Sequence, residues 1–261
     1  MKTKLTQAFR NHKALISFVV AGDPDSKQTV DHVVALAEAG CDIVELGIPF
    51  SDPVADGPEI QAADLRAFDS KTTPERVFEM VAAIREQTDV PLVFLTYANL
   101  VYQYGYVVFA KRCAALRVSG LIIPDLPLEE QGELRPALVA QNVALIPLIA
   151  PTTTPDRIAA IAKAATGFIY VVSSMGVTGM RQSLTTDLTP LITAIRAETD
   201  TPIAIGFGIH TPEQAQKMAE QADGVIVGSA MVHEIASQQD VVAKLTTYTH
   251  ELRQAVDSVA N

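Results

Sequence analysis

Glu45 stands alone as a charged residue in an apolar run, Ile43-Val44-Glu45-Leu46-Gly47. If that run is a strand of a closed parallel barrel, it has no solvated edge, and an unpaired buried charge there is costly. The carboxyl group must then have a raised pKa or a partner. A carboxyl of raised pKa is what acid–base catalysis at neutral pH requires; a structural ion pair is the competing outcome. Asp56 follows in the segment Ile48 to Pro58 and can reach back over the same strand. Two later apolar runs end in Gly206-Phe207-Gly208 and Gly228-Ser229, and a short helical stretch, Ala230 to Ile235, follows the second. Glycines let the backbone approach an anion, and the N–H groups of a short helix point at it, so this layout suits a phosphate. Tight turns alone would also use these glycines. Phe18, Leu95, Tyr97, Tyr170 and Phe207 could line an apolar mouth beside the phosphate, though core packing could explain each of them singly.

Other chemistries lack their residues. No lysine lies at the C-terminal end of an apolar run, so a Schiff-base mechanism has no nucleophile. The five histidines show no metal-ligand spacing, and His32 falls on the polar side of its helical stretch. No metal and no cofactor is expected. Asp23, in Gly22-Asp23-Pro24, reads as a loop anchor. Asp125, in Pro124-Asp125-Leu126-Pro127, could serve the site or an interface.

The elements that must position these groups alternate along the chain. Eight apolar runs are nearly continuous in Val, Ile and Leu: 15–20, 43–47, 92–96, 121–124, 144–149, 168–172, 203–206 and 224–227. Strands covered on both faces read this way. Amphipathic segments separate them, as in 26–39, where Val30, Val33, Val34 and Ala37 form one stripe and Gly40 stops the helix. Thr73-Pro74-Glu75, Thr154-Pro155-Asp156 and Thr211-Pro212-Glu213 each open a helix: the Thr caps, the Pro takes the first position, and the acid suits the dipole. The expected fold is α/β, a (β/α)8 TIM barrel with an extra N-terminal helix and a short phosphate-site helix. With no composition break, residues 1–261 are expected to form a single domain; a doubly wound sheet is the alternative. The segments 48–58 and 173–186 are too long for plain connections and leave strand C-termini, where barrels do chemistry.

Acidic residues outnumber basic ones by 30 to 20, for a net charge of −10, and no Lys/Arg run offers a nucleic-acid footprint. No signal peptide or membrane span is evident, so a cytoplasmic location is expected. Cys41 and Cys113 read as buried hydrophobes in a reducing compartment.

The stretch from Glu45 to Pro58, Glu-Leu-Gly-Ile-Pro-Phe-Ser-Asp-Pro-Val-Ala-Asp-Gly-Pro, closely resembles the signature of the tryptophan synthase alpha subunit. The resemblance covers nearly the whole chain. It takes in 18–23, Tyr97-Ala98-Asn99-Leu100, 124–127, Gly176-Val177-Thr178-Gly179, 206–208 and 228–229. It implies a lyase of tryptophan biosynthesis that cleaves indole-3-glycerol phosphate to indole and glyceraldehyde 3-phosphate by a retro-aldol reaction. By motif position, Glu45 would be the acid–base residue and Asp56 would hold the indole N–H. Phe18, Leu95, Tyr170 and Phe207 would shape the indole pocket, and Gly179, Gly208, Gly228 and Ser229 would bind phosphate. Thr178 would contact Asp56 from a lid. The resemblance also implies a partner, the pyridoxal-phosphate-dependent beta subunit, in an alpha2beta2 heterotetramer. The aromatic segment Tyr97 to Tyr106, with Asp52-Pro53 and Asp125-Leu126-Pro127, offers a surface for it, through Asp52, Pro53, Asn99, Leu100, Tyr102, Asp125 and Pro127. Two departures stand out: Ser174 where some members carry Arg, which bears on lid contacts, and Arg117-Val118-Ser119-Gly120 in place of a Gly-rich helix stop. Another sugar-phosphate barrel enzyme, or a non-catalytic barrel that activates a partner, would share the phosphate site. The first lacks its strand-end lysine here if it is the synthase of the same indole phosphate, and the second would have no use for both carboxylates.

Overall fold

The computed structural model describes residues 4–173, 187–206 and 208–259. Its nine strand segments are β1 (Ala14–Val20), β2 (Ile43–Gly47), β3 (Leu92–Leu95), β4 (Val118–Ile122), β5 (Ala144–Ile146), β6 (Leu148–Ile149), β7 (Ile169–Val172), β8 (Ile203–Gly206) and β9 (Gly224–Val227). Every pairing is parallel, in the order β5-β4-β3-β2-β1-β9-β8-β7-β6. The two ends of that order are one stretch of chain. Pro147, which has no N–H, separates β5 from β6, and its carbonyl accepts from Tyr170 N–H at 2.9 Å. Since β5 pairs with β4 and β6 with β7, the stretch 144–149 closes the ring. This is an eight-position barrel, and the doubly wound sheet is ruled out.

The helices are α1 (Lys4–Ala8), α2 (Ser26–Glu38), α3 (Pro58–Asp69), α4 (Pro74–Arg85), α5 (Ala98–Tyr104), α6 (Tyr106–Ala115), α7 (Leu134–Ala140), α8 (Pro155–Ala164), α9 (Thr189–Arg196), α10 (Pro212–Ala219), α11 (Ser229–Ala236) and α12 (Val241–Asp257). Thr73 and Thr211 accept from the N–H groups of Arg76 and Gln214, as capping threonines should. Thr154 sits at the cap position, but its side chain makes no capping bond. His32 is a further correction: it is buried, not on a polar side. α2 packs against both α4 and α12, so its buried arc is wider than one stripe. Burial holds the His32 pKa down to about 4. Cys41 and Cys113 are buried thiols. Among the described residues, no helix is long and apolar enough to cross a membrane.

The pleat sorts residues into two layers. Leu15, Val19, Val44, Leu46 and Phe94 face the helices, while Ile16, Ile43, Val93, Ile122, Tyr170, Ala204 and Ile226 fill the barrel. Leu5 of α1 joins the inner cluster, fully buried. It explains why β4 begins at Val118 and takes in Ser119-Gly120, which the sequence places before the strand. A β-carbon on Gly120 would lie 2.9 Å from Ile146 Cδ1 and 3.2 Å from Leu5 Cδ1. The glycine leaves room for the floor plug, and Arg117, at φ 56°, makes the turn after α6. Leu5→Ala should therefore cost about 2–5 kcal/mol in denaturant unfolding, the range for a buried leucine, with the lower end expected because a terminal helix can settle into the gap. A loss under about 1 kcal/mol would mean α1 does not seal the barrel.

Candidate active site

In β2 the pleat turns Ile43, Glu45 and Gly47 inward. Glu45 lies in register with Phe18 on one side and Val93 on the other, 1% exposed. Its Oε1 has no hydrogen-bond partner among the described residues. Burial, and then the charge of Asp56, push its pKa up to about 8. The ion-pair alternative is not what this side chain adopts: no salt bridge to Glu45 occurs among the described residues. Gly47 serves the neighbouring ring, because a β-carbon there would lie 2.7 Å from Phe18 Cζ.

Asp56 lies in the loop after β2, 4% exposed, and reaches back over the strand. Tyr97, at the start of α5, holds it. The Tyr97 hydroxyl donates to Asp56 Oδ2 at 2.7 Å and accepts from Ala55 N–H at 3.1 Å. Tyr97 is itself buried and stacks on Phe50 with ring centroids 4.9 Å apart. Burial raises the Asp56 pKa to about 6, against the opposing effect of the Tyr97 bond. The cavity lined by Glu45 and Asp56 is also lined by Phe18, Leu95 and Tyr170. Ala55, Ile60, Pro124, Leu148 and Ile226 complete its wall, and the sequence had not singled these out for the pocket. Pro124 and Leu148 end strand runs and were findable by the rule that found Leu95; Ile60 lies on α3 and carries no such signal.

The same cavity reaches Gly208, Gly228 and Ser229. Gly208 has φ +83°, a left-handed conformation that favours glycine, and its carbonyl is 3.0 Å from His210 Nδ1. Gly228 precedes α11, whose first residue is Ser229, and both line the cavity, so the first-turn N–H groups of α11, which have no partner within the helix, start at its wall. A β-carbon on Gly228 would meet Phe18 Cβ at an ordinary 3.6 Å. Gly228→Val should therefore fold, while its methyl groups obstruct an anion at the helix start. Binding of glycerol phosphate, followed by calorimetry, should weaken by at least about tenfold, or 1.4 kcal/mol. Unchanged affinity would detach the anion from this turn. Phe207, Thr178, Gly179 and Ser174 lie outside the described residues.

The remaining acids sort by partner. Asp23 is a loop anchor: it takes Arg66 Nε and a terminal guanidinium nitrogen, each at 2.7 Å. Asp125 accepts from Ala98 N–H at 2.9 Å, pinning the start of α5. Of the other residues named for a partner surface, Asp52, Asn99, Tyr102 and Pro127 are exposed, and Pro53 and Leu100 are half-buried. The aromatic segment divides. Tyr97 is inside, and Tyr104 packs on Phe78 and Phe109, while Tyr102 is 60% exposed and stands edge-on to Tyr106.

Residues 5–259 match the family model described as tryptophan synthase alpha chain. The chain belongs to the tryptophan synthase alpha chain family. A tryptophan synthase alpha chain of Lactiplantibacillus plantarum is 68% identical over 255 residues, spanning 98% of this chain and 97% of its own length. One from Lacticaseibacillus casei is 56% identical over 259 residues, covering 99% and 97%. Among solved structures, Mycobacterium tuberculosis tryptophan synthase superposes with a TM-score of 0.90 at 36% identity, covering 98% of each chain. Tryptophan synthase subunit alpha of Legionella pneumophila gives 0.87 at 33%, covering 98% and 99%. Membership makes this member a lyase of tryptophan biosynthesis on a TIM barrel. Each family motif quoted from the sequence that falls on described residues lies toward the C-terminal end of a strand, in the loop leaving it, or at the start of the helix that follows.

Proposed function

We propose that the cavity binds indole-3-glycerol phosphate and cleaves it to indole and glyceraldehyde 3-phosphate, with Glu45 and Asp56 as the catalytic pair. The observation that carries this reading is Glu45 itself: a fully buried carboxyl whose pKa lies above neutrality, facing a cavity shared with a second, more acidic carboxyl. At pH 7 Asp56 is then the anion and Glu45 the acid. Glu45 gives its proton to the ring carbon that carries the side chain. The ring nitrogen becomes cationic, and its N–H is held by the Asp56 carboxylate. Glu45, now a carboxylate, takes the proton of the neighbouring side-chain hydroxyl as the bond between ring and side chain breaks. The bonding pair returns to the ring, the alcohol becomes an aldehyde, and Glu45 ends protonated as it began. On this reading Phe18, Leu95 and Tyr170 enclose the ring and Gly208, Gly228 and Ser229 hold the phosphate, all of them lining the one cavity, so the breaking bond lies between two fixed anchors. Thr178, Gly179 and Phe207 belong to the same reading by motif position. Turnover of indole-3-glycerol phosphate by the purified chain tests it; phosphate binding without turnover, with or without a partner, would leave only a regulatory barrel.

The chain works, on this reading, in the cytoplasm as half of a complex with a pyridoxal-phosphate-dependent beta subunit. Indole is apolar and would escape across membranes if released, and direct transfer prevents the loss. The surface offered for it is Asp52, Pro53, Asn99, Leu100, Tyr102, Asp125 and Pro127, all of them exposed or half-buried, and Val54 between them in the loop after β2 is 73% exposed. Docking there bears on the loop that carries Asp56, so the partner should order it and raise turnover. Titration with the beta subunit should give a complex at micromolar concentrations by sedimentation, with faster cleavage. No complex together with unchanged turnover would contradict it.

A further inference from the structure

We propose that Tyr97 is a positioning residue for the cleavage: its hydroxyl clamps Asp56 from behind the cavity wall, so that the carboxylate meets the substrate's ring N–H in one orientation. The inference deepens the reading above and rests on Asp56 holding that N–H. Tyr97 acts through Asp56 and not by contact with the substrate. It is 2% exposed and is not among the residues that line the cavity, although the sequence marked it for the mouth.

One oxygen atom makes both contacts that fix the carboxylate. The Tyr97 hydroxyl accepts from Ala55 N–H at 3.1 Å, so its own proton is directed to Asp56 Oδ2, 2.7 Å away. The side chain of Asp56 and the backbone just before it are thereby tied to the same point. Two further bonds hold this loop: Asp56 N–H donates to the Pro53 carbonyl at 3.0 Å, and the Gln61 amide donates to the Asp56 carbonyl at 2.7 Å. These involve the main chain of Asp56 and leave its side chain free to turn. Among the described residues no other side chain donates to the carboxylate and no cation pairs with it. The titratable groups around it are Glu45 on β2, Asp64 on α3 and the Tyr170 hydroxyl on β7, and none of them supplies a positive charge. Tyr97 can act as a clamp because it is itself fixed. Its ring stacks on Phe50, with centroids 4.9 Å apart and planes 19° from parallel. The N–H of Thr96, one residue before, donates to the Ile122 carbonyl at 3.0 Å, and that of Ala98, one residue after, donates to Asp125 at 2.9 Å. With a phenyl ring at 97, the carboxylate would lose the donor that favours its charged form and the point that sets its angle.

The experiment compares indole with benzofuran, which has the same shape but an ether oxygen in place of the ring N–H. Both are bound to the wild type, Tyr97→Phe and Asp56→Ala at neutral pH with glycerol phosphate present, by equilibrium dialysis that reads each ligand by its absorbance. The wild type should prefer indole by about tenfold or more, the usual worth of a hydrogen bond to a charged group. Tyr97→Phe should bring the two ligands to within about threefold of each other by weakening indole alone. A side chain that only supports the fold would weaken both alike. In steady-state cleavage, the acid limb of kcat/KM should move to higher pH in Tyr97→Phe, because the hydroxyl holds the Asp56 pKa down against burial. The alkaline limb, which Glu45 sets, should stay in place. An indole preference that survives in Tyr97→Phe, an equal loss of both ligands, an unmoved acid limb or a variant that does not fold would overturn the proposal. A wild type with no preference, or an Asp56→Ala that keeps it, would remove the reading of Asp56 and the proposal with it. A preference lost in Asp56→Ala but kept in Tyr97→Phe would remove the role of Tyr97 alone.

Discussion

Glu45→Gln should lower turnover by about 10²–10⁴-fold, the usual worth of proton transfer by a positioned side chain. Gln keeps the shape and neutrality of the protonated acid but can neither give the proton nor take the next one. Binding of glycerol phosphate should be nearly unchanged, since on the proposed reading the glycine turns and Ser229, not Glu45, hold the phosphate. Stability should move the other way. The folded pKa of Glu45 is raised to about 8 from an ordinary 4.5, so the folded state holds a proton that the unfolded state releases. The wild type therefore loses stability as pH rises between those values, and Gln does not. The variant should be at least as stable as wild type at pH 7, by a margin that grows up to about pH 8. A variant that is inactive because it is unfolded, or one retaining more than a tenth of wild-type turnover, would contradict the role.

Gly206→Ala should disable the site from the far wall. A β-carbon on Gly206 would fall 2.3 Å from the Tyr170 hydroxyl oxygen, 2.6 Å from its Cζ and 2.7 Å from Cε1. Tyr170 is 5% exposed and a ring atom cannot yield as a flexible chain end would. The ring must turn, and the open space beside it is the cavity that it lines with Glu45. Overpacking of this kind costs about 1–3 kcal/mol. The larger effect should be on cleavage, with the ring of the substrate displaced from Glu45 and turnover down by more than about tenfold, since small misplacements cost much at a reacting centre. Turnover near wild type would show that Tyr170 has somewhere else to go.

How far these groups could be read from the residues follows from what each one does. The strands were legible because parallel strands covered on both faces are almost wholly Val, Ile and Leu, and Glu45 was legible because it broke such a run. β4 was misplaced because Ser119 and Gly120 break the same pattern for a packing reason, the Leu5 plug, that lies over a hundred residues away in sequence. His32 misled because a helix wedged between two others buries more than its apolar stripe. Tyr97 was marked as a mouth residue and also grouped with a surface aromatic segment. Its bond to Asp56 depends on how the loop folds back, and spacing alone does not encode that. Asp64 of α3, an acid only 6% exposed, gave no signal at all, since an acid within an amphipathic helix reads as solvated until the neighbouring elements cover it.

The pH dependence of kcat/KM for cleavage of indole-3-glycerol phosphate tests the central claim, that an ionised Asp56 and a protonated Glu45 work as a pair. Asp56 must have lost its proton, and its pKa is raised only to about 6; Glu45 must keep its own, and its pKa is raised to about 8. The profile should be a bell with its rising limb near the first value and its falling limb near the second, because kcat/KM reports the groups of the free enzyme. Activity that stays level from acid through alkaline pH, or that rises with pH where Glu45 loses its proton, would contradict it.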